Sequence, residues 1–101
     1  MTGTVLVVED QDSARESLGE LLRGEGYEVH EAADGNSAIA IVNQHDLDVV
    51  LTDLMMPGSD GMAVLRYVRD VSPQTLVILM TAHASVETAI DAIHLGAKII
   101  S

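Results

Sequence analysis

Val5-Leu6-Val7-Val8-Glu9-Asp10 decides how this chain is read: a run of branched apolar residues that ends in two acids. A second stretch is built the same way, with Asp48-Val49-Val50-Leu51-Thr52 running into Asp53. Short continuous apolar runs of this kind read as strands buried on both faces, as in a parallel sheet covered by helices. Ligands of such sheets bind beyond the carboxyl ends of the strands, where strand order reverses. Glu9, Asp10 and Asp53 therefore occupy candidate ligand positions, and acids at two strand ends can converge on one spot. Crowded like charges repel, and a divalent cation is the natural compensation. The expectation is a hard metal site with a carboxylate available as a nucleophile.

Outward from these runs, strand and helix signals alternate. Thr4 to Glu9 reads as a strand. Ser13 to Arg23 reads as a helix opened by a capping box at Ser13-Ala14-Arg15-Glu16 and stopped by Gly24 and Gly26. Tyr27 to Glu31 alternates by two, as a more exposed strand should. Asp34-Gly35-Asn36 reads as a turn. Ser37 to Asn43 is the next helix, and Leu47 to Thr52 the next strand. Pro57 to Gly61 reads as a loop, followed by a helical stripe through Met62, Leu65 and Val68. Ser72-Pro73-Gln74 breaks that stripe before a buried strand from Thr75 to Met80. Ser85 to Leu95 reads as a fourth helix closed by Gly96, and Lys98-Ile99-Ile100 opens a fifth strand. Strands joined by helices at such spacings predict an α/β sheet with helices on both faces.

At 101 residues this is one domain, read as 1–101. Sixteen acids against five bases leave a net charge of −11. That balance argues against direct nucleic-acid contact, since few bases are available to replace phosphate counterions. It disfavours anionic membranes for the same reason. Cysteine is absent, so a disulfide framework and a thiolate metal site are excluded. With no signal-peptide pattern and no apolar stretch of spanning length, the expected location is cytoplasmic.

Asp53 is the focal residue. A carboxylate can attack a phosphoryl group and form an aspartyl phosphate, a reaction governed by positioning and charge neutralisation. Mg²⁺ suits this role, held by one or two carboxylates with phosphate oxygens and water. Asp10 and Asp53 are expected as direct ligands, with Glu9 holding a metal-bound water. Thr81 ends the fourth strand, where its hydroxyl and the Ala82 N–H could donate to phosphoryl oxygens. His30, His45, His83 and His94 are scattered without ligand spacing, so no histidine metal site is expected. Asp12 is expected to cap the first helix.

Taken together, Val7-Val8-Glu9-Asp10, Leu51-Thr52-Asp53-Leu54-Met55-Met56-Pro57-Gly58, Asp60-Gly61, Met80-Thr81-Ala82-His83-Ala84 and Leu95-Gly96-Ala97 resemble the receiver domain of bacterial two-component response regulators. The stretch from Met80 to Ala89 looks most like receivers of enhancer-binding, sigma-54-type activators. The resemblance implies a flavodoxin-like, doubly wound sheet of order 2-1-3-4-5. It implies that Asp53 accepts phosphate from a sensor histidine kinase and that an output domain lies outside this chain. It assigns Glu9, Asp10, Asp53 and the Met55 backbone carbonyl to the metal, with Thr81 as the switch hydroxyl.

The sequence departs from that pattern near its end. The family's lysine falls beyond Ser101 by count; Lys98 follows Gly96 too closely to take its place, so no catalytic lysine is assigned. Ile100 stands where an aromatic residue is usual, and Ile99 where an acid is usual. The expectation is a short fifth strand and a missing fifth helix, hence a receiver incomplete at its C-terminus. An uncovered sheet face invites another chain, so a homodimer or higher oligomer is expected. The alternative function is a non-phosphorylated, receiver-like interaction or dimerisation module. An enzyme acting on a separate substrate is not expected. A flavin site needs a glycine loop after the first strand, and an Asp-x-Asp phosphatase needs an acid where Met55 stands.

Overall fold

A computed structural model describes residues 3–53, 61–80, 90 and 92–100, the last two by backbone alone. Its elements run β1 (Thr4–Val8), α1 (Asp12–Gly24), β2 (Glu28–Ala32), α2 (Gly35–Gln44), β3 (Val49–Asp53), α3 (Gly61–Val71), β4 (Leu76–Met80) and β5 (Lys98–Ile100). Residues 90 and 92–94 are also helical, within the span expected for the fourth helix. Residues 85–89 and 91 of that span lie outside the described residues.

All strand pairs are parallel, in the order β2-β1-β3-β4 with β5 beside β4. The winding direction reverses at β1, which has β2 on one side and β3 on the other. That reversal opens a crevice at the carboxyl ends of β1 and β3. The expected flavodoxin-like arrangement of parallel strands is therefore present.

Val5 to Val8 are all buried, and they divide between two cores. Leu6 and Val8 face α2 and α3, in a cluster that includes Val50, Leu65, Val68, Val77 and Leu79. Val5 and Val7 face the other side with Val29, against Leu18 and Leu22 of α1. An unbroken apolar strand is what two-sided burial requires. Val49, Leu51 and Ile78 are only half-buried. Strand β2 is an edge, and Glu28 stays exposed while Val29 and Ala32 are buried.

Two helix starts differ from the sequence reading. Asp34-Gly35-Asn36 is no free turn: Asp34 is the N-cap of α2, and its Oδ1 accepts from the Ser37 N–H at 2.7 Å. The expected capping box at Ser13 is not formed, because α1 already begins at Asp12 with Gln11 as N-cap and no side-chain cap. Asp12 is thus the first helical residue, and its carboxylate pairs with Arg15 at 2.6 Å. Gly26 and Gly96 take positive φ, +97° and +89°, where a side chain would be strained.

Candidate metal centre

Parallel register brings the acids together. Val8 pairs with Thr52, so Glu9 and Asp53 follow at the same level of the sheet. Asp53 is the last residue of β3, while Glu9 extends β1 by donating its N–H to the Ala32 carbonyl at 3.0 Å. Asp10 comes next in the loop before α1. One carboxylate oxygen from each of Glu9, Asp10 and Asp53 lies within 4.8 Å of the others. Glu9 and Asp53 are half-buried and Asp10 is exposed.

Electrostatics follow from this crowding. Burial raises the Glu9 carboxyl above its ordinary value. The Gln11 N–H, donating to Glu9 Oε2 at 3.0 Å, pulls the other way. A hydrogen bond with Asp10 and the charges of Asp53 and Asp10 raise it further. A bound cation would relieve that repulsion.

The donor set fits a hard ion. Opposite ligands of an octahedral Mg²⁺ stand about 4.2 Å apart, twice a typical Mg–O distance. Carboxylate oxygens spread over up to 4.8 Å can surround such an ion with small adjustments, or with one acid acting through a metal-bound water. Among the described residues, this trio is the one group of three or more metal-binding side chains so placed.

Met55, Thr81 and Ala82, also expected at the site, lie outside the described residues. Lys98 is exposed. The histidines are not all scattered: the rings of His30 and His45 stack with centroids 4.1 Å apart. Sequence reading also missed Arg15, which donates from Nη1 to the Glu9 carbonyl at 2.8 Å. The available signal was a lone base one helical turn into an acid-rich segment, Glu9-Asp10-Gln11-Asp12-Ser13-Ala14-Arg15-Glu16.

A doubly wound parallel sheet with three acids at its switch-point crevice defines an α/β protein built around an acidic cleft. Residues 5–100 match the response regulator receiver domain, and the chain belongs to that family. It is 42% identical over 93 residues to transcriptional regulatory protein ZraR of Escherichia coli (strain K12), covering 92% of this chain and 21% of that protein. It is 35% identical over 97 residues to sporulation initiation phosphotransferase F of Bacillus subtilis (strain 168), covering 96% of this chain and 78% of that one. A receiver domain protein from Clostridium thermocellum superposes with a TM-score of 0.90 at 31% identity, over 97% of this chain and 80% of that structure. The chain therefore spans about a fifth of the length of the ZraR-like relatives. Among the described residues, no helix is long and apolar enough to cross a membrane.

Proposed function

We propose that this chain is a phosphoacceptor signalling domain that takes a phosphoryl group from a sensor histidine kinase onto Asp53. The observation that carries this reading is the convergence of Glu9, Asp10 and Asp53 at the carboxyl ends of adjacent parallel strands. In the transfer, the N–P bond of the kinase phosphohistidine breaks. A bond forms between phosphorus and an Asp53 carboxylate oxygen, and the departing imidazole takes up a proton. Glu9, Asp10, Asp53 and the Met55 carbonyl would hold Mg²⁺, which supplies charge neutralisation for the phosphoryl oxygens. The Thr81 hydroxyl and Ala82 N–H are assigned to those same oxygens. Met80, the residue before Thr81, pairs with Asp53, which supports this assignment.

The phosphoryl group adds negative charge at Asp53, draws in Thr81 and shifts the fourth-helix face toward an output partner. Likeness to a transcriptional regulatory protein supports an output that controls transcription. The reading includes a cytoplasmic location and self-association. Half-buried Val49, Leu51 and Ile78, together with exposed Ile90 and Ile93, support a second copy as partner. A compact monomer in light scattering at micromolar concentration overturns the self-association part.

Beryllofluoride with Mg²⁺ tests the central claim. The expected result is a set of amide shifts around Asp53 and Thr81 that Asp53→Asn abolishes. If the wild-type chain shows no such shifts, the protein acts as a non-phosphorylated interaction module instead.

A further inference from the structure

Glu9 is held at three points. Its N–H donates to Ala32 of β2, its carboxylate accepts from the Gln11 N–H, and its carbonyl accepts from Arg15. The first two are local consequences of strand and loop. The third brings in a residue of α1 with ties of its own. The Arg15 side chain is 14% exposed, and its guanidinium also pairs with Asp12 at 2.6 Å and Glu31 at 3.7 Å. Glu31 in turn pairs with Arg23 at 2.8 Å, and Arg23 donates to the Val29 carbonyl at 3.0 Å. A continuous chain of contacts therefore runs from the edge strand β2 through Glu31 and Arg15 to the backbone of Glu9.

We propose that Arg15, itself oriented by Glu31, is a positioning residue that holds Glu9 level with Asp53 so that the acid trio can close on a cation. The inference rests on the cation-site reading above. Its direction is opposite to that of simple charge. A guanidinium near three acids lowers their pull on Mg²⁺ by Coulomb repulsion, so removing it should tighten binding if charge were its whole role. Arg15 instead meets the trio through a carbonyl, while its ionic partners Asp12 and Glu31 lie outside it. Groups that orient metal ligands from behind change affinity about 10- to 100-fold when removed.

The test is Mg²⁺ titration of the 101-residue chain by amide spectra, with amide hydrogen exchange measured in the absence of metal. Arg15→Met should weaken Mg²⁺ binding about tenfold or more and speed exchange at Glu9 and Gln11, leaving Val5 to Val8 unchanged. Arg15→Lys keeps the charge but loses the planar fork that bridges three groups, so it should share the loss. Tighter binding in Arg15→Met with wild-type binding in Arg15→Lys overturns the proposal. Unaltered exchange at Glu9 and Gln11 also overturns it, whatever the metal does. Should Arg15→Met fail to fold, Glu31→Gln removes only the orienting charge and should show the same two changes in smaller measure. A wild-type chain that ignores Mg²⁺ overturns the cation-site reading itself. The metal-free exchange then still decides whether Arg15 holds Glu9.

Discussion

Val8 and Thr52 are register partners across β1 and β3, and each is followed in sequence by an acid. One pairing therefore sets Glu9 beside Asp53. A shift of one residue would turn every side chain of β1 to the opposite face, exchanging Leu6 and Val8 for Val5 and Val7. The acid site is thus fixed by the same packing that fixes the core.

Because burial and its acidic neighbours raise the Glu9 carboxyl, the folded chain binds that proton more tightly than the unfolded chain. The stability this contributes is fully present below the ordinary value of 4.5 and is lost as pH rises through the raised one. Without metal at pH 7, Glu9→Gln should therefore be more stable than wild type. Two unit charges at about 4 Å cost on the order of 1 kcal/mol when well solvated, which is roughly 4–8 °C in Tm for a domain this size. The advantage should shrink as pH falls through the raised value and be gone below 4.5. Saturating Mg²⁺ should reverse the order, since it binds the wild-type fold more tightly. Thermal melts across pH, with and without Mg²⁺, check this; a cation-free Glu9→Gln less stable at pH 7 than at pH 4 relative to wild type contradicts it.

Asp34 carries the opposite sign. The Ser37 N–H bond holds its carboxyl below the ordinary value, so its stabilisation is present above the unfolded value and lost as pH falls through the depressed one. Asp34→Ala should lower Tm at pH 7, and its deficit should shrink in strong acid, where the protonated Asp34 is a weaker acceptor. Asp34→Asn keeps an acceptor for the Ser37 N–H, so it should retain much of the helix start and lose the pH dependence. Equal pH dependence in Asp34→Asn and wild type would show that the cap is not the titrating element.

The strands and the acid trio were legible because each is written locally. Val5 to Val8 announces two-sided burial, and an acid at the end of such a run has few other places to be. Helix starts were less legible because neighbouring residues compete for the same N–H groups. Ser13-Ala14-Arg15-Glu16 has capping-box spelling, yet the Arg15 N–H already bonds the Gln11 carbonyl at 2.9 Å. The N-cap is thereby set two residues earlier, at Gln11 instead of Ser13. Asp34-Gly35-Asn36 has turn chemistry, but the reach of Asp34 to Ser37 makes it a cap. The Arg15–Glu31 link could not be read at all. Those residues are far apart in sequence, and they meet only once α1 lies across β2.

Thr75 lies just before β4, at the opposite end of the parallel sheet from Asp53. It is 2% exposed, donates to the Leu47 carbonyl at 2.8 Å, and shares a hydrogen bond with Ser72 Oγ at 2.6 Å. Thr75→Val keeps the shape and removes the donor, leaving a buried carbonyl short of a partner. The cost should be about 1–3 kcal/mol, read by chemical denaturation. Mg²⁺ affinity should stay at the wild-type value, which separates damage at this end of the sheet from damage at the site.

Gly19 sits on α1 beneath the Glu31 carboxylate, and a Cβ there would lie 2.7 Å from Glu31 Oε2. Gly19→Ala must therefore push Glu31 aside, away from Arg23 and Arg15. The energies nearly cancel. Alanine gains about 0.5–1 kcal/mol over glycine inside a helix, and each partly exposed ion pair is worth about 0–1 kcal/mol. Tm should thus stay within a few degrees of wild type, roughly the shift that 1 kcal/mol gives. Cation affinity should still fall, because Arg15 loses the group that orients it. The double variant Gly19→Ala/Glu31→Gln should bind Mg²⁺ no more weakly than the weaker of its two single variants, since both changes break one link. Full additivity in that cycle, or wild-type Mg²⁺ affinity in Gly19→Ala, would mean that Glu31 can be displaced without disturbing Glu9.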